Sequence, residues 1–376
     1  MKMTKKVLFV ATEDQGHIMK FHLPYLHEFK KAGYEVHVAC GGDQRIPYCD
    51  RKISLAIKRN PLRLSNVKAF FQLKKAIDLE GYSLIHCHTP VGGVLGRLAS
   101  IKARKEGSRV VYTAHGFHFF KGASKFAWAV YYPIEKQLAR WTDCLITINK
   151  EDYELARTRR FSAKTLVHVH GVGVDLKKYH PVCQAEKLLL RNEYGFKKDA
   201  FILTLAADYN KNKNQTLLIQ MIDELRKEIP KIKLLLVGEG VLDQEYHALI
   251  KALGVEKHVE MLGFRKDVDK LLQLSDVVVS SSYREGLPVF LMEAMATGLP
   301  IVASRCRGNR DLVVDGESGF LVELDQQAAF SFAVKRLYAG PSMREEMGER
   351  ARVLVKPYEQ KLVVEEMKKV YGACLA

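Results

Sequence analysis

No stretch of this sequence approaches the roughly 18 consecutive apolar residues that a membrane-spanning helix needs, so the chain is not expected to cross a bilayer. The N-terminal MKMTKKVLFVATEDQGH holds only a short apolar run, too short for a signal-peptide core and suited to a buried first strand. Cysteine is sparse and unpatterned, with seven residues at 40, 49, 87, 144, 183, 306 and 374 and no C-x-x-C spacing. That excludes a disulfide framework and fits reduced thiols in the cytoplasm. Low-complexity segments and short internal repeats are missing too. Acidic residues are scarce in one half only: residues 1–180 hold 31 Lys+Arg against 15 Asp+Glu, whereas residues 181–376 hold 28 of each. The net charge of +16 therefore lies wholly in the N-terminal half. A basic solvated surface accounts for this, as does a face turned toward nucleic acid, a phosphorylated ligand or an acidic membrane.

What is present reads as an ordinary globular chain, 47% hydrophobic and 27% charged, with 376 residues pointing to two domains. Short β-branched runs alternate with helical patterns. In the first half the runs are KKVLFVA (5–11), YEVHVAC (34–40), SLIHCH (83–88), VVYTAH (110–115) and CLITIN (144–149). The rhythm restarts after the connector HGVGVDLKKYHP (170–181) with FILTLAA (201–207), IKLLLVGEG (232–240), HVEMLGF (258–264), VVVSSS (277–282), LPIVAS (299–304) and GFLVE (319–323). This pattern predicts two α/β domains with parallel sheets and helices on both faces. Ligands of such sheets bind beyond the carboxyl ends of the strands, so the residues that follow each strand are the candidates.

The stretch SYREGLPVFLMEAMATGLPIVAS (282–304) carries the sharpest question. A buried strand leads into a turn at Gly286, Pro288 can open a helix without losing a needed N–H, and Gly298 suits its C-cap. The unpaired N–H groups and dipole at that helix start make a site for phosphate. Glu285 lies in the turn, and Glu293 lies inside the helix among Leu291, Met292, Ala294 and Met295. The spacing alone leaves two readings open: a solvated loop acid and a surface helix acid, or two acids serving one ligand.

The E-x7-E arrangement within REGLPVFLMEAMATGLPIVAS resembles the signature of retaining glycosyltransferases of family 4. LLLVGEG, VEMLGFRKDVDKLLQLSDVVVSSS, RGNRDLVVDGESGFLV and the connector HGVGVDLKKYHP fit the same family in order. IHCHTPVGGVLGRLAS and YTAHGFHFFKG are similar to a branch that serves exopolysaccharide and capsule assembly. The resemblance spans nearly the whole chain. It implies an α/β GT-B fold of two doubly wound, Rossmann-like domains facing a central cleft. The N-terminal, acceptor-binding domain would cover 1–180 and the nucleotide-sugar domain 181–357. A C-terminal helix, 358–376, would pack back on the N-terminal domain.

By position, the resemblance places Glu285 on hydroxyls of the donor sugar and Glu293 on the nucleotide ribose, with the amides around Gly286, Leu287, Pro288 and Val289 facing the diphosphate. Lys213 matches a lysine that supports the leaving diphosphate. Asp208 occupies the place of the family's arginine and cannot neutralise phosphate, which leaves Lys213 more of that work. His115 matches a histidine near the donor sugar and the reacting centre. Gly16 matches a donor-phosphate loop where relatives carry a glycine pair, and Glu13 and Asp14 beside it are unexpectedly acidic. His88 is assigned to the shape of the acceptor pocket.

His86 and His88 share one strand face, as do His168 and His170, but no acidic or cysteine partners have metal-site spacing, and no metal is expected. The segment KGASKFAWAVYYPIEKQLARW (121–141) interleaves Trp128, Tyr131, Tyr132 and Trp141 with Lys121, Lys125, Lys136 and Arg140. Either an aromatic core stripe or a membrane-surface helix fits. With the basic half considered, Lys121, Lys125, Trp128 and the nearby His118 are placed on an acceptor and membrane side.

The function expected is retaining transfer of a sugar from a UDP-sugar to a lipid-linked or saccharide acceptor in cell-surface polysaccharide synthesis. The protein would work at the cytoplasmic face of an anionic membrane. No cofactor is expected beyond the nucleotide-sugar substrate, and no DxD-like motif stands in a suitable loop. Two rival classes remain: a GT-B sugar-nucleotide epimerase, which would need no acceptor, and a basic nucleic-acid-binding protein, for which no recognition module appears.

Overall fold

The run KVLFVATE forms β1 (Lys6–Glu13), in which Val7, Leu8, Phe9 and Val10 are all buried. Continuous burial of this kind marks a strand covered on both faces, as in a parallel sheet flanked by helices. The computed structural model describes residues 5–376. Around β1 are β2 (Glu35–Gly41), β3 (Arg51–Ser54), β4 (Leu84–His88), β5 (Arg109–Ala114), β6 (Cys144–Thr147) and β7 (Thr165–His168). Together they make a parallel seven-stranded sheet in the order β3-β2-β1-β4-β5-β6-β7. The chain works outward from β1 in one direction and then resumes at β4 on the other side. The carboxyl ends of β1 and β4 therefore flank a topological switch point.

A second sheet comprises β8 (Phe201–Ala206), β9 (Ile232–Val237), β10 (Val259–Met261), β11 (Val277–Ser280), β12 (Ile301–Ser304) and β13 (Gly319–Val322). All six are parallel, in the order β10-β9-β8-β11-β12-β13, with the switch point between β8 and β11. Each sheet has its own apolar core. Leu8, Ile85, Tyr112 and Leu145 belong to one, and Leu203, Leu234, Val279 and Phe330 to the other.

The chain divides into one unit that runs to Val172 and takes back Lys361–Ala376, and a second unit, Gly173–Gln360. The first boundary falls eight residues before the expected one at 180. The reason is a long-range backbone pairing: Val174 donates to Tyr358 at 2.8 Å, and Gln360 donates to Val174 at 2.9 Å. This pulls the connector into the second unit. The terminal helix Gln360–Leu375 belongs to the first unit, where Tyr371 is buried and its hydroxyl meets His86 Nδ1 at 2.8 Å. Glu366 there accepts from the His170 amide at 3.1 Å.

Expected strands correspond to β1, β2, β4–β6 and β8–β13, and β7, not among the expected runs, takes in only His168 of the His168/His170 pair read as one strand face, whereas β3 had no signal at all. Its sequence, RKIS, is a half-exposed edge with two basic residues, which suits an edge strand but carries no apolar signal. Among the described residues no helix is long and apolar enough to cross a membrane.

Candidate active site

In the second unit, the loops that follow β8 and β11 meet at the switch point. The Asn212 side chain donates to the Arg284 carbonyl at 2.9 Å, and the Tyr283 amide donates to the Asn212 carbonyl at 2.8 Å. Ser281 Oγ bonds the carbonyls of Lys213 and Asn214 at 3.0 and 2.8 Å. Asn214 takes a left-handed conformation (φ 50°), a turn that its short side chain tolerates. These bonds set Lys213 Nζ 2.6 Å from Glu285 Oε1, with both side chains largely shielded. The resemblance assigns these two residues separate tasks. The structure brings them together as one ion pair.

The same loop runs into helix Val289–Thr297, which ends at Gly298 with φ 78°. The Pro288 carbonyl accepts from the Leu291 amide at 3.2 Å, which leaves the Val289 and Phe290 amides ahead of it without an acceptor inside the helix. Arg307 Nε donates to the Glu285 carbonyl at 3.0 Å. Gly308 lies so close that a Cβ on it would sit 2.6 Å from the Gly286 carbonyl oxygen. Neither Arg307 nor Gly308 was singled out from the sequence, although RGNRDLVV lay within a matched segment. Asp208 is exposed at the end of β8, and only its backbone carbonyl is engaged, by Gln215 at 3.1 Å.

Glu293 is half-exposed as a residue, yet burial of its carboxyl pushes its pKa up to about 7. The Tyr179 hydroxyl, from the connector, hydrogen-bonds this carboxyl and partly offsets the rise. Neither acid is a solvated surface residue. Tyr179 had no expected role, but its place in the matched connector was the available signal.

In the first unit, Asp14–Ile18 forms a single π-helical turn immediately after β1. Such turns are rare and recur at functional sites. The turn, with the one after it, presents His17 and His22 side by side, their ring centres 4.7 Å apart. β4 contributes His88, and the residue following β5 is His115, so three segments that neighbour one another in the sheet converge. His88 Nδ1 lies 3.3 Å from His115 Nε2. Ligand atoms of His17, His22, His88 and His115 all lie within 4.8 Å of one another. Burial holds all four imidazoles below their ordinary pKa, His115 at about 4, and repulsion from neighbouring imidazoles adds to it for His17, His22 and His88, so they are uncharged at neutral pH. The expectation of no metal-ligating set considered the two His-x-His pairs separately. The residues that converge are instead His88 and His115 from two strand ends, His17 from the π turn and His22 from the turn after it.

Glu13 and Asp14, odd for a phosphate loop, have local partners. Glu13 pairs with Arg59 at 2.7 Å, and Asp14 accepts from Lys52 and the Gln44 amide, each at 2.8 Å. Gly16 lies beside the Glu13–Arg59 pair, with room for no more than a tight Cβ. His118 stacks on Tyr131 at 4.7 Å, outside the histidine cluster. Helix Lys125–Leu138 turns Trp128, Tyr131 and Tyr132 inward against the core, and Trp128 Nε1 donates to the Phe120 carbonyl at 3.2 Å. That corrects the placement of Trp128 on a membrane side, because its ring is spent on packing. Lys121 and Lys125 remain exposed.

A more prominent apolar surface lies elsewhere. Leu62, Leu64 and Phe71 are 89%, 86% and 63% exposed, beside exposed Lys58, Arg63, Lys68 and Lys75.

Residues 186–354 match the family described as glycosyl transferases group 1, and residues 6–149 match glycosyl transferase 4-like. The chain is 45% identical over 371 residues to EpsD of Bacillus subtilis (strain 168), named as a glycosyltransferase, covering 99% of this chain and 97% of that one. It is 32% identical over 288 residues to an Escherichia coli protein named UDP-Gal:alpha-D-GlcNAc-diphosphoundecaprenol alpha-1,3-galactosyltransferase, covering 74% and 72% of the two chains. In fold it is similar to Anabaena Alr3699/HepE, solved with UDP and glucose, with a TM-score of 0.78 at 20% identity over 98% of this chain and 100% of that one.

Proposed function

The chain belongs to the group 1, family 4-type glycosyltransferases of GT-B fold, and we propose that it transfers a sugar from a UDP-sugar to a lipid-linked saccharide with retention at the anomeric carbon. The carrying observation is the Lys213–Glu285 pair at the β8/β11 switch point, beside the helix start after Pro288. An entering diphosphate competes for Lys213 and for the first-turn amides. That frees the Glu285 carboxylate for the sugar hydroxyls. Glu293 accepts from ribose hydroxyls with Tyr179 holding its other side. Asp208 contributes no positive charge, so Lys213 and the helix dipole together stabilise the departing phosphate. No divalent ion is needed on the diphosphate in this reading.

No side chain stands as an evident covalent nucleophile, and the reaction proceeds on one face of the sugar. The bond from the anomeric carbon to the phosphate oxygen breaks while the acceptor hydroxyl oxygen bonds to that carbon. The hydroxyl proton passes to the leaving phosphate.

The E. coli relative is named for a UDP-sugar donor and a diphosphoundecaprenol-linked acceptor, which supports a membrane-borne acceptor here. The basic, apolar surface at Leu62, Leu64 and Phe71 is the docking face, in place of the 121–141 helix. Leucines set among lysines suit an anionic interface.

Incubating the purified protein with UDP-sugars and a synthetic polyprenyl-diphosphate saccharide tests the reading. An acceptor-dependent product of retained configuration is expected, by mass spectrometry and NMR. Consumption of the UDP-sugar without acceptor would instead indicate an epimerase or hydrolase. Binding to anionic vesicles should fall as salt rises and drop in Leu62→Ser/Leu64→Ser. Equal sedimentation of both proteins removes the docking face.

A further inference from the structure

We propose that His17, His22, His88 and His115 together bind one divalent transition-metal ion of the zinc class. The proposal concerns the first unit alone and does not rest on the transferase reading. The four rings converge at the β1/β4 switch point, and their ligand atoms are mutually within 4.8 Å. A tetrahedral ion with metal–nitrogen bonds of about 2.0–2.1 Å separates its ligand nitrogens by roughly 3.4 Å. Ligand nitrogens within 4.8 Å of one another need close by little more than an ångström to reach that spacing.

The second observation is unmet bonding capacity. Both ring nitrogens of His22, Nε2 of His17 and Nε2 of His88 are buried without a hydrogen-bond partner, while His22 and His88 are each only 1% exposed. Buried polar atoms are nearly always satisfied, and here three of the four clustered rings each carry at least one orphaned nitrogen. A single ion would satisfy several at once.

His86, packed against His88 with ring centres 3.9 Å apart and planes tilted by 45°, makes a useful contrast: its nitrogens are taken by Tyr371 Oη and Thr113 Oγ1, each at 2.8 Å. It buttresses His88 and is not a ligand. Phe9 stacks on His88 with planes 11° apart. The ligand rings are thus held by packing before any ion arrives.

The donor set selects the ion. Imidazoles without carboxylates or thiolates suit Zn2+, Co2+, Ni2+ or Cu2+, and not Mg2+ or Ca2+. His17 and His115 remain half-exposed, which gives the ion a way in and a side where water or an anion screens its charge.

The test uses full-length, tag-free protein stripped with a chelator and then titrated with Co2+. One ion per chain is expected, bound at micromolar concentration or tighter, with the intense visible absorption of four-coordinate Co2+. Zn2+ should displace it and raise Tm up to one equivalent, while Mg2+ should do neither. His22→Ala and His88→Ala should weaken binding at least ~10-fold, and the exposed His247→Ala should not. Should the buried replacements fail to fold, the half-exposed His17→Asn reads the same loss. Absence of one-to-one binding, or binding indifferent to His17, His22 and His88, overturns the proposal and leaves an imidazole network alone.

Discussion

The two units place chemistry at equivalent topological points and fill them with opposite materials. At the β8/β11 switch the second unit has formal charges, Lys213 against Glu285 with the half-titrated Glu293 nearby. At the β1/β4 switch the first unit has a cluster of imidazoles held neutral by burial. A doubly wound sheet therefore fixes where a ligand is met but leaves open what it meets. The charged switch suits an anionic, competing ligand. The neutral one suits a ligand that accepts lone pairs or shares hydrogen bonds.

The contrast can be tested by removing its parts, beginning with the largest effect. Lys213→Ala should lower kcat by on the order of 10²-fold or more with the fold intact by circular dichroism, because its ammonium group stabilises charge that develops on the leaving phosphate. Near-normal turnover would transfer that role to another cation, Lys211 being the exposed candidate in the same loop. Glu285→Gln should sharpen the point by leaving UDP affinity undiminished while transfer falls, since the pair no longer has to be broken.

The next effect is a pH dependence. Burial raises the Glu293 carboxyl to about 7 in the folded chain, above its value of 4.5 when solvated. Folding therefore favours the protonated form, and the contribution of this group to stability is lost as pH rises from about 4.5 to 7 and is flat above. Ribose hydroxyls favour the ionised form, so UDP affinity should rise severalfold from pH 6 to 8, by calorimetry. Glu293→Gln should flatten both profiles, and a wild-type affinity independent of pH would separate Glu293 from the nucleotide. The smallest effect is in the first unit. Tyr371→Phe removes one hydroxyl from His86 and should cost about 1 kcal/mol in denaturant unfolding. No change would mean that packing alone holds the terminal helix.

Much of this architecture was legible in advance because apolar strand runs are local signals. So was the pairing of turn and helix around Glu285 and Glu293, where Pro288 marks the helix start and Gly298 its left-handed end. What was hidden depends on distant segments. The unit boundary is set by Val174 pairing with residues 358–360, which no local pattern reveals. The histidine cluster was hidden for the same reason. Sequence spacing suggested His86 with His88 and His168 with His170. Sheet order instead selects residues at neighbouring strand ends, and the π turn and the turn after it add one more each. The Trp128 helix misled because a basic helix with aromatic residues looks alike whether its rings face lipid or core. Only the packing of Phe119, Trp128 and Tyr132 decides.

The return of Lys361–Ala376 to the first unit means that the polypeptide joins the two units at two places. A gene ended after Val172 would encode that unit without the helix that carries Tyr371, Glu366 and Lys368, and Lys368 bonds back to Glu28 at 3.1 Å. The expressed fragment would bare an apolar groove where the helix belongs. Splicing residues 361–376 directly onto the first segment through a flexible linker, or supplying them as a peptide in trans, is therefore the route to an autonomous first half.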